Sequence, residues 1–118
     1  MKQELQDRFL DFAAGIVLLG GELKTTYEGK HVFGQLFRSG TSAGANFEES
    51  HSAESTNDFI HKREIVLKEL RESLYWLQLI KRTKLVKNNT AIDTLINENE
   101  EFIKIIAKSL ITIKNKSK

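Results

Sequence analysis

Apolar residues recur at helical spacing along most of the chain. Leu5, Phe9, Phe12, Ile16, Leu19 and Leu23 are spaced 4, 3, 4, 3, 4, one stripe on a helix, and Leu10, Ala13, Ala14 and Val17 widen it. A second period runs through Phe33, Leu36, Phe37, Gly40, Ala43, Gly44 and Phe47. A third runs through Phe59, Ile60, Leu67, Leu70, Leu74, Leu77 and Ile80, and a fourth through Ile92, Leu95, Ile96, Phe102, Ile103, Ile106, Leu110 and Ile113. Three of these periods begin at a hydroxyl followed three residues later by a carboxylate: Thr25 and Glu28, Ser55 and Asp58, Thr90 and Asp93. Such a hydroxyl accepts from an orphan first-turn amide, and the carboxylate opposes the helix dipole. The pattern predicts helices over about residues 3–22, 26–50, 56–85 and 91–114. The links between them are short, so neighbours are expected antiparallel, in one domain spanning residues 1–118. The expected fold is all-α, an up-down-up-down four-helix bundle.

The second helix is unusual in its middle. RSGTSAGANFEES, residues 38–50, packs Ser, Gly, Thr, Ser, Ala, Gly and Ala in succession. Small residues at Gly40 and Ala43 let a neighbour come close on the face shared with Leu36 and Phe47. Arg38, Ser42, Ala45 and Glu49 form a second face, with Thr41 and Asn46 beside it. Helix propensity is lost at each glycine, about 1 kcal/mol against alanine, so close neighbours are expected on more than one side. Opposite its main stripe the third helix carries Ile65, Glu69, Glu72, Trp76 and Leu79, spaced 4, 3, 4, 3. Trp76 and Leu79 are apolar where a lone bundle is expected to face water, which predicts self-association.

Composition narrows the function classes. The 118 residues contain no cysteine and no proline. Thiolate chemistry, disulfides and thiolate zinc sites are therefore excluded, and the absence of proline suits long helices. Eighteen Lys and Arg against sixteen Asp and Glu leave a formal charge of +2, too small to imply a nucleic-acid partner by itself. The first residues, MKQELQDRFLDFAAG, carry three acids and do not read as a signal peptide. No apolar run approaches the roughly 20 residues of a membrane span. A cytoplasmic protein without membrane partners is expected.

The middle of the chain resembles a known family. RSGTSAGANFEESHSAES followed by NDFIHKREIVLKELRESLYWLQLI is similar to the four-helix-bundle proteins first described from intervening sequences of bacterial 23S ribosomal RNA genes. That family's pattern is matched here by Arg38, Ser39, Ser42, Ala45, Asn46, Glu49, Ser55, Phe59 and Lys62, then by Lys68, Glu69, Glu72, Tyr75, Trp76 and Leu77. The resemblance implies a bundle assembled into a ring-like homo-oligomer, a homopentamer, with no assigned activity and no cofactor. A related branch, the accessory protein of diversity-generating retroelements, implies binding of RNA or DNA, or of a nucleic-acid-processing protein, through basic surface residues.

Two residue sets are candidate sites. Arg38, Ser42, Asn46, Glu49, Glu69, Glu72, Trp76 and Leu79 read as a buried polar network or a subunit interface, since buried polar groups need partners and can fix register. A ligand site is the alternative. Lys81, Arg82, Lys84 and Lys87 cluster at the end of the third helix. There they either complement the dipole or contact phosphates, and a ring would multiply their field. Glu48–His51 and Asp58–His61 have the carboxylate-x-x-His spacing of di-iron bundles, but both flank one loop, and no inward Glu is evident on the first and last helices. No metal is expected. No catalytic constellation is recognisable, so a non-enzymatic protein is expected.

Overall fold

Four long amphipathic helices and one helical turn account for most of the molecule. The computed structural model describes residues 2–116. In order these are α1 (Lys2–Leu18), α2 (Gly20–Leu23), α3 (Tyr27–Ser50), α4 (Thr56–Thr83) and α5 (Thr90–Lys116). Among the described residues no helix is long and apolar enough to cross a membrane. The bundle is elongated, 49 × 22 × 21 Å. α3 packs on α1 and α4, and α5 packs on α4 and α1. Among the described residues the backbones of α1 and α4 do not approach closely, nor do those of α3 and α5, so each of these pairs lies across a diagonal.

The core is a stack of aromatic rings continued by aliphatic side chains. The Phe9 ring lies between Phe47, 4.6 Å away, and Phe102, 4.0 Å away, both stacked, and Phe12 meets Phe102 edge-on at 5.5 Å. Three helices are thereby joined at one level. Leu36, Val66, Leu70, Leu77, Ile80, Ile92 and Ile106 fill the rest and are fully buried. The small residues of α3 face two neighbours. A Cβ on Gly40 would lie 2.2 Å from Ile16 Cδ1 of α1, and Gly44 sits over Phe9. On the other side Ser39 Oγ lies 3.0 Å from Ser73 Oγ of α4, both buried.

Helix ends differ from the expected ones for local reasons. The first helix stops at Leu18 instead of continuing to residue 22. Leu19 N donates to Ile16 O, a three-residue turn. The turn carries Gly20 beneath the Phe33 ring, where a Cβ would lie 2.8 Å from Phe33 Cζ. The cap of α3 is Thr26, whose hydroxyl accepts from Gly29 N at 2.9 Å; Thr25 instead donates to Glu22 O. Ser55 caps α4 as expected, accepting from Asp58 N at 3.0 Å. α4 ends at Thr83, before the expected residue 85, with Lys84 left-handed at φ 56°. Thr90 does not cap through its own hydroxyl. Asn88 Oδ1 accepts from Thr90 N at 2.8 Å, and Asp93 pairs with Lys81 at 2.7 Å. α5 continues past residue 114 to Lys116.

Arg63 and Asn99 are among the polar residues that the fold buries. Arg63 is 9% exposed and has no carboxylate partner among the described residues. Its guanidinium lies between the rings of Phe47 (4.6 Å) and Phe59 (4.4 Å). Nε donates to Ser50 Oγ at 2.9 Å, and Nη1 reaches Ser109 Oγ of α5 at 3.4 Å. Burial pushes its pKa below the ordinary arginine value, and the ring faces replace part of the lost hydration. Asn99 of α5 is fully buried. In the orientation that satisfies both ends of its carboxamide, it donates to Leu70 O at 3.0 Å and accepts from Leu74 N at 3.2 Å, inserting into the ladder of α4.

Candidate functional site

The polar cluster between α3 and α4 is built on helical register. Glu69, Glu72 and Trp76 stand three and four residues apart on α4, one above the other. Arg38 of α3 faces them. Its Nη1 donates to Glu69 Oε2 at 3.0 Å and its Nη2 to Glu72 Oε2, and Trp76 Nε1 donates to the same Glu72 oxygen at 3.1 Å. Glu69 is only 6% exposed, so its charge needs this partner. The hydrogen bond to Glu72 raises the Arg38 pKa, and the Arg38 guanidinium holds the Glu72 carboxyl below the usual glutamate range, helped by Trp76. Arg38 is half-exposed, so water screens the cluster and limits its contribution to stability. The geometry makes a clasp between two helices.

The rest of the expected network does not join it. Asn46 Nδ2 donates to Ser42 O at 2.9 Å and lies 3.1 Å from Ser42 Oγ, all within α3. Glu49, one residue from the end of α3, reaches Lys62 at 3.5 Å. Trp76 and Leu79 are partly buried against the core, not exposed as expected. The Trp76 ring meets His31 edge-on at 6.0 Å.

The apolar surface lies elsewhere. Leu10 is 70% exposed and Val17 50%, so these two residues expected to widen the buried stripe of α1 point outward, as does Leu18 at 83%. Leu10 lines an apolar groove of about 550 Å³ between α1 and α3, floored by Phe9, Ala13, Gly44 and Phe47. Asp7 and Glu48 stand on its rim, and among the described residues no Lys or Arg lines it. Phe37, 43% exposed, lies one helical turn from Thr41 and stacks on Phe33 at 5.7 Å. The sequence signal for this face was the run of small residues on α3.

The basic residues occupy the end of the bundle where α4 passes into α5. Lys81 is tied to Asp93, whereas Arg82, Lys84 and Lys87 are exposed and make no ion pair among the described residues. The Lys87 amide donates to the Glu22 carboxylate at 2.5 Å, which ties this link to α2. At the opposite end, Gln6 donates to Glu48 at 2.7 Å and approaches His51 Nδ1 at 3.5 Å; His51 Nε2 is buried without a hydrogen-bond partner. Among the described residues no group of three or more His, Asp and Glu side chains is placed to hold a metal ion.

Comparison with known proteins places the chain. The crystal structure of a protein of unknown function from the S23 ribosomal protein family of Bacteroides thetaiotaomicron superposes with a TM-score of 0.78 at 36% identity, over 89% of this chain and 96% of that one. No curated protein matches the chain. The family model of the 23S rRNA-intervening sequence proteins matches residues 2–108. With that match spanning almost all of α1 to α5, the chain belongs to the family of 23S rRNA-intervening sequence proteins.

Proposed function

We propose that the chain is a non-enzymatic scaffold that works as a homo-oligomer in the cytoplasm. Its four long helices run up-down-up-down and antiparallel in a single domain, and copies join in a ring of five. The observation that carries this reading is the apolar groove between α1 and α3, lined by Phe9, Leu10, Ala13 and Phe47, with Leu10 70% exposed. Contiguous apolar surface of this kind marks a partner site. Light scattering at micromolar concentration is expected to give about five times the 13.5 kDa chain mass. A monomeric mass would end the reading.

A second reading assigns nucleic acid, or a nucleic-acid-processing protein, to Lys81, Arg82, Lys84 and Lys87. The exposed, unpaired state of the last three favours it. Binding of labelled RNA and single-stranded DNA is expected to weaken steeply with salt, by about 0.7–0.9 of a log unit per log unit of salt for each phosphate contact. Replacing the four residues with glutamine should flatten that slope. An unchanged slope would remove these residues from the contact.

A further inference from the structure

We infer that the α1–α3 groove of one copy receives the α4–α5 flank of the next, so that copies associate head to tail. This rests on the oligomeric reading above and assigns its two surfaces. The pairing follows from geometry and charge. α1 and α4 lie on one diagonal and α3 and α5 on the other, so the α1–α3 and α4–α5 flanks face opposite sides. Two unlike patches on opposite sides are what a heterologous interface requires, and such interfaces close into rings or run on as filaments.

The two patches are complementary. The groove is apolar with an acidic rim, Asp7 and Glu48. The α4–α5 flank carries a shallower groove of about 330 Å³ lined by Leu67, Leu110 and Ile111, with Lys68, Arg71 and Lys114 around it. Ile111 is 62% exposed. Lys114 is engaged by Glu64 at 2.8 Å, whereas Lys68 and Arg71 make no ion pair among the described residues. Asp7 likewise makes none. Small residues at Ala13, Gly44 and Ala45 allow an incoming helix to approach closely. A flank 49 Å long and 21 Å across exceeds the roughly 800 Å² per partner that a specific interface buries.

Charge reversal tests the pairing. The groove variant is Asp7→Lys with Glu48→Lys, and the flank variant is Lys68→Glu with Arg71→Glu. All four positions are exposed, so helix content by circular dichroism is expected to stay unchanged. Each variant alone is expected to sediment as a monomer at a concentration where the unmodified chain assembles. The chain carrying all four changes has a basic groove and an acidic flank, and is expected to recover the assembled mass. Leu10→Ser, which alters no charge, is expected to weaken association about tenfold or more. If the unmodified chain assembles but both double variants keep its mass, the surfaces are assigned wrongly and the oligomeric reading stands. If the double variants dissociate and the fourfold change does not restore assembly, the two patches do not meet. A monomeric unmodified chain would overturn both the pairing and the scaffold reading.

Discussion

Phe9→Ala is expected to destabilise the fold by about 3–5 kcal/mol, the usual cost of removing a buried phenylalanine. The position is nearly dry, 2% exposed, and its ring is stacked on both faces by rings from two other helices. Deleting it removes the burial of the ring and both stacking contacts, and it opens a cavity. Phe47 and Phe102 lie on opposite sides of that cavity, each fixed in a different helix, so neither is free to fill it. A domain of this size has about 5–15 kcal/mol in total, so the variant is expected to lose roughly a fifth or more of its stability. Urea unfolding followed by circular dichroism measures this directly. Phe9→Leu, which keeps most of the volume, is expected to lose about half as much. A loss below about 1 kcal/mol for Phe9→Ala would mean that α1 is held by its other contacts and that the ring stack is incidental.

How much of this was legible before the structure depends on the position. The helices follow from periodicity because one face of each is buried, and burial is what periodicity records. Ser55 was readable as a cap from Asp58 three residues on, although Thr56 stands beside it. At Thr25 and Thr26 two hydroxyls are adjacent, and only the backbone path decides which accepts from α3. The break at Leu19 depends on where Phe33 lands, ten or more residues away in sequence, and no local rule contains that. Arg63 and Asn99 were missed for a different reason. Each completes the buried stripe of its helix: Arg63, Val66, Leu70 on α4 and Leu95, Asn99, Phe102 on α5. The spacing was available, but only apolar positions were counted into the stripes of α4 and α5. The outward turn of Leu10 and Val17 was hidden by the converse error, since apolar residues beside a stripe were read as part of it.

The candidate site divides along the same line. Glu69, Glu72 and Trp76 were legible as one face because they share a helix at spacings that align them. Their junction with Arg38 adds a tertiary contact that the spacing is consistent with. Asn46 and Ser42 are four residues apart, and that spacing also allows the purely local bond the structure contains. Patterns within one helix therefore suggest which side chains are neighbours. They do not decide whether a polar side chain turns to its own helix or to the next.

Two glycine-to-alanine changes in the same helix are expected to act with opposite sign. Gly29 lies in the first turn of α3, directly against the end of α2. A Cβ there would sit 1.9 Å from Leu23 O and 2.9 Å from Thr26 Oγ1. The nearest obstacle is backbone, which cannot rotate away. The residue is required for space, since no glycine among the described residues has a positive φ. Gly29→Ala must push α2 off α3, drag buried Leu23 with it and disturb the Thr26 cap. Overpacking costs about 1–3 kcal/mol and a lost cap about 1. The gain in helix propensity offsets under 1 of that, so a net loss of about 2–3 kcal/mol is expected. Gly34 is exposed on the same helix, with nothing within 4 Å of an added Cβ. There only propensity and unfolded-state entropy act, and Gly34→Ala is expected to stabilise by about 0.5–1 kcal/mol. Paired urea titrations of the two variants separate the effects, because backbone entropy is common to both and the collision belongs to Gly29 alone. If Gly29→Ala proved as stabilising as Gly34→Ala, the Leu23 carbonyl would have to stand farther from α3, and the tight junction that orients α1 toward its groove would be absent.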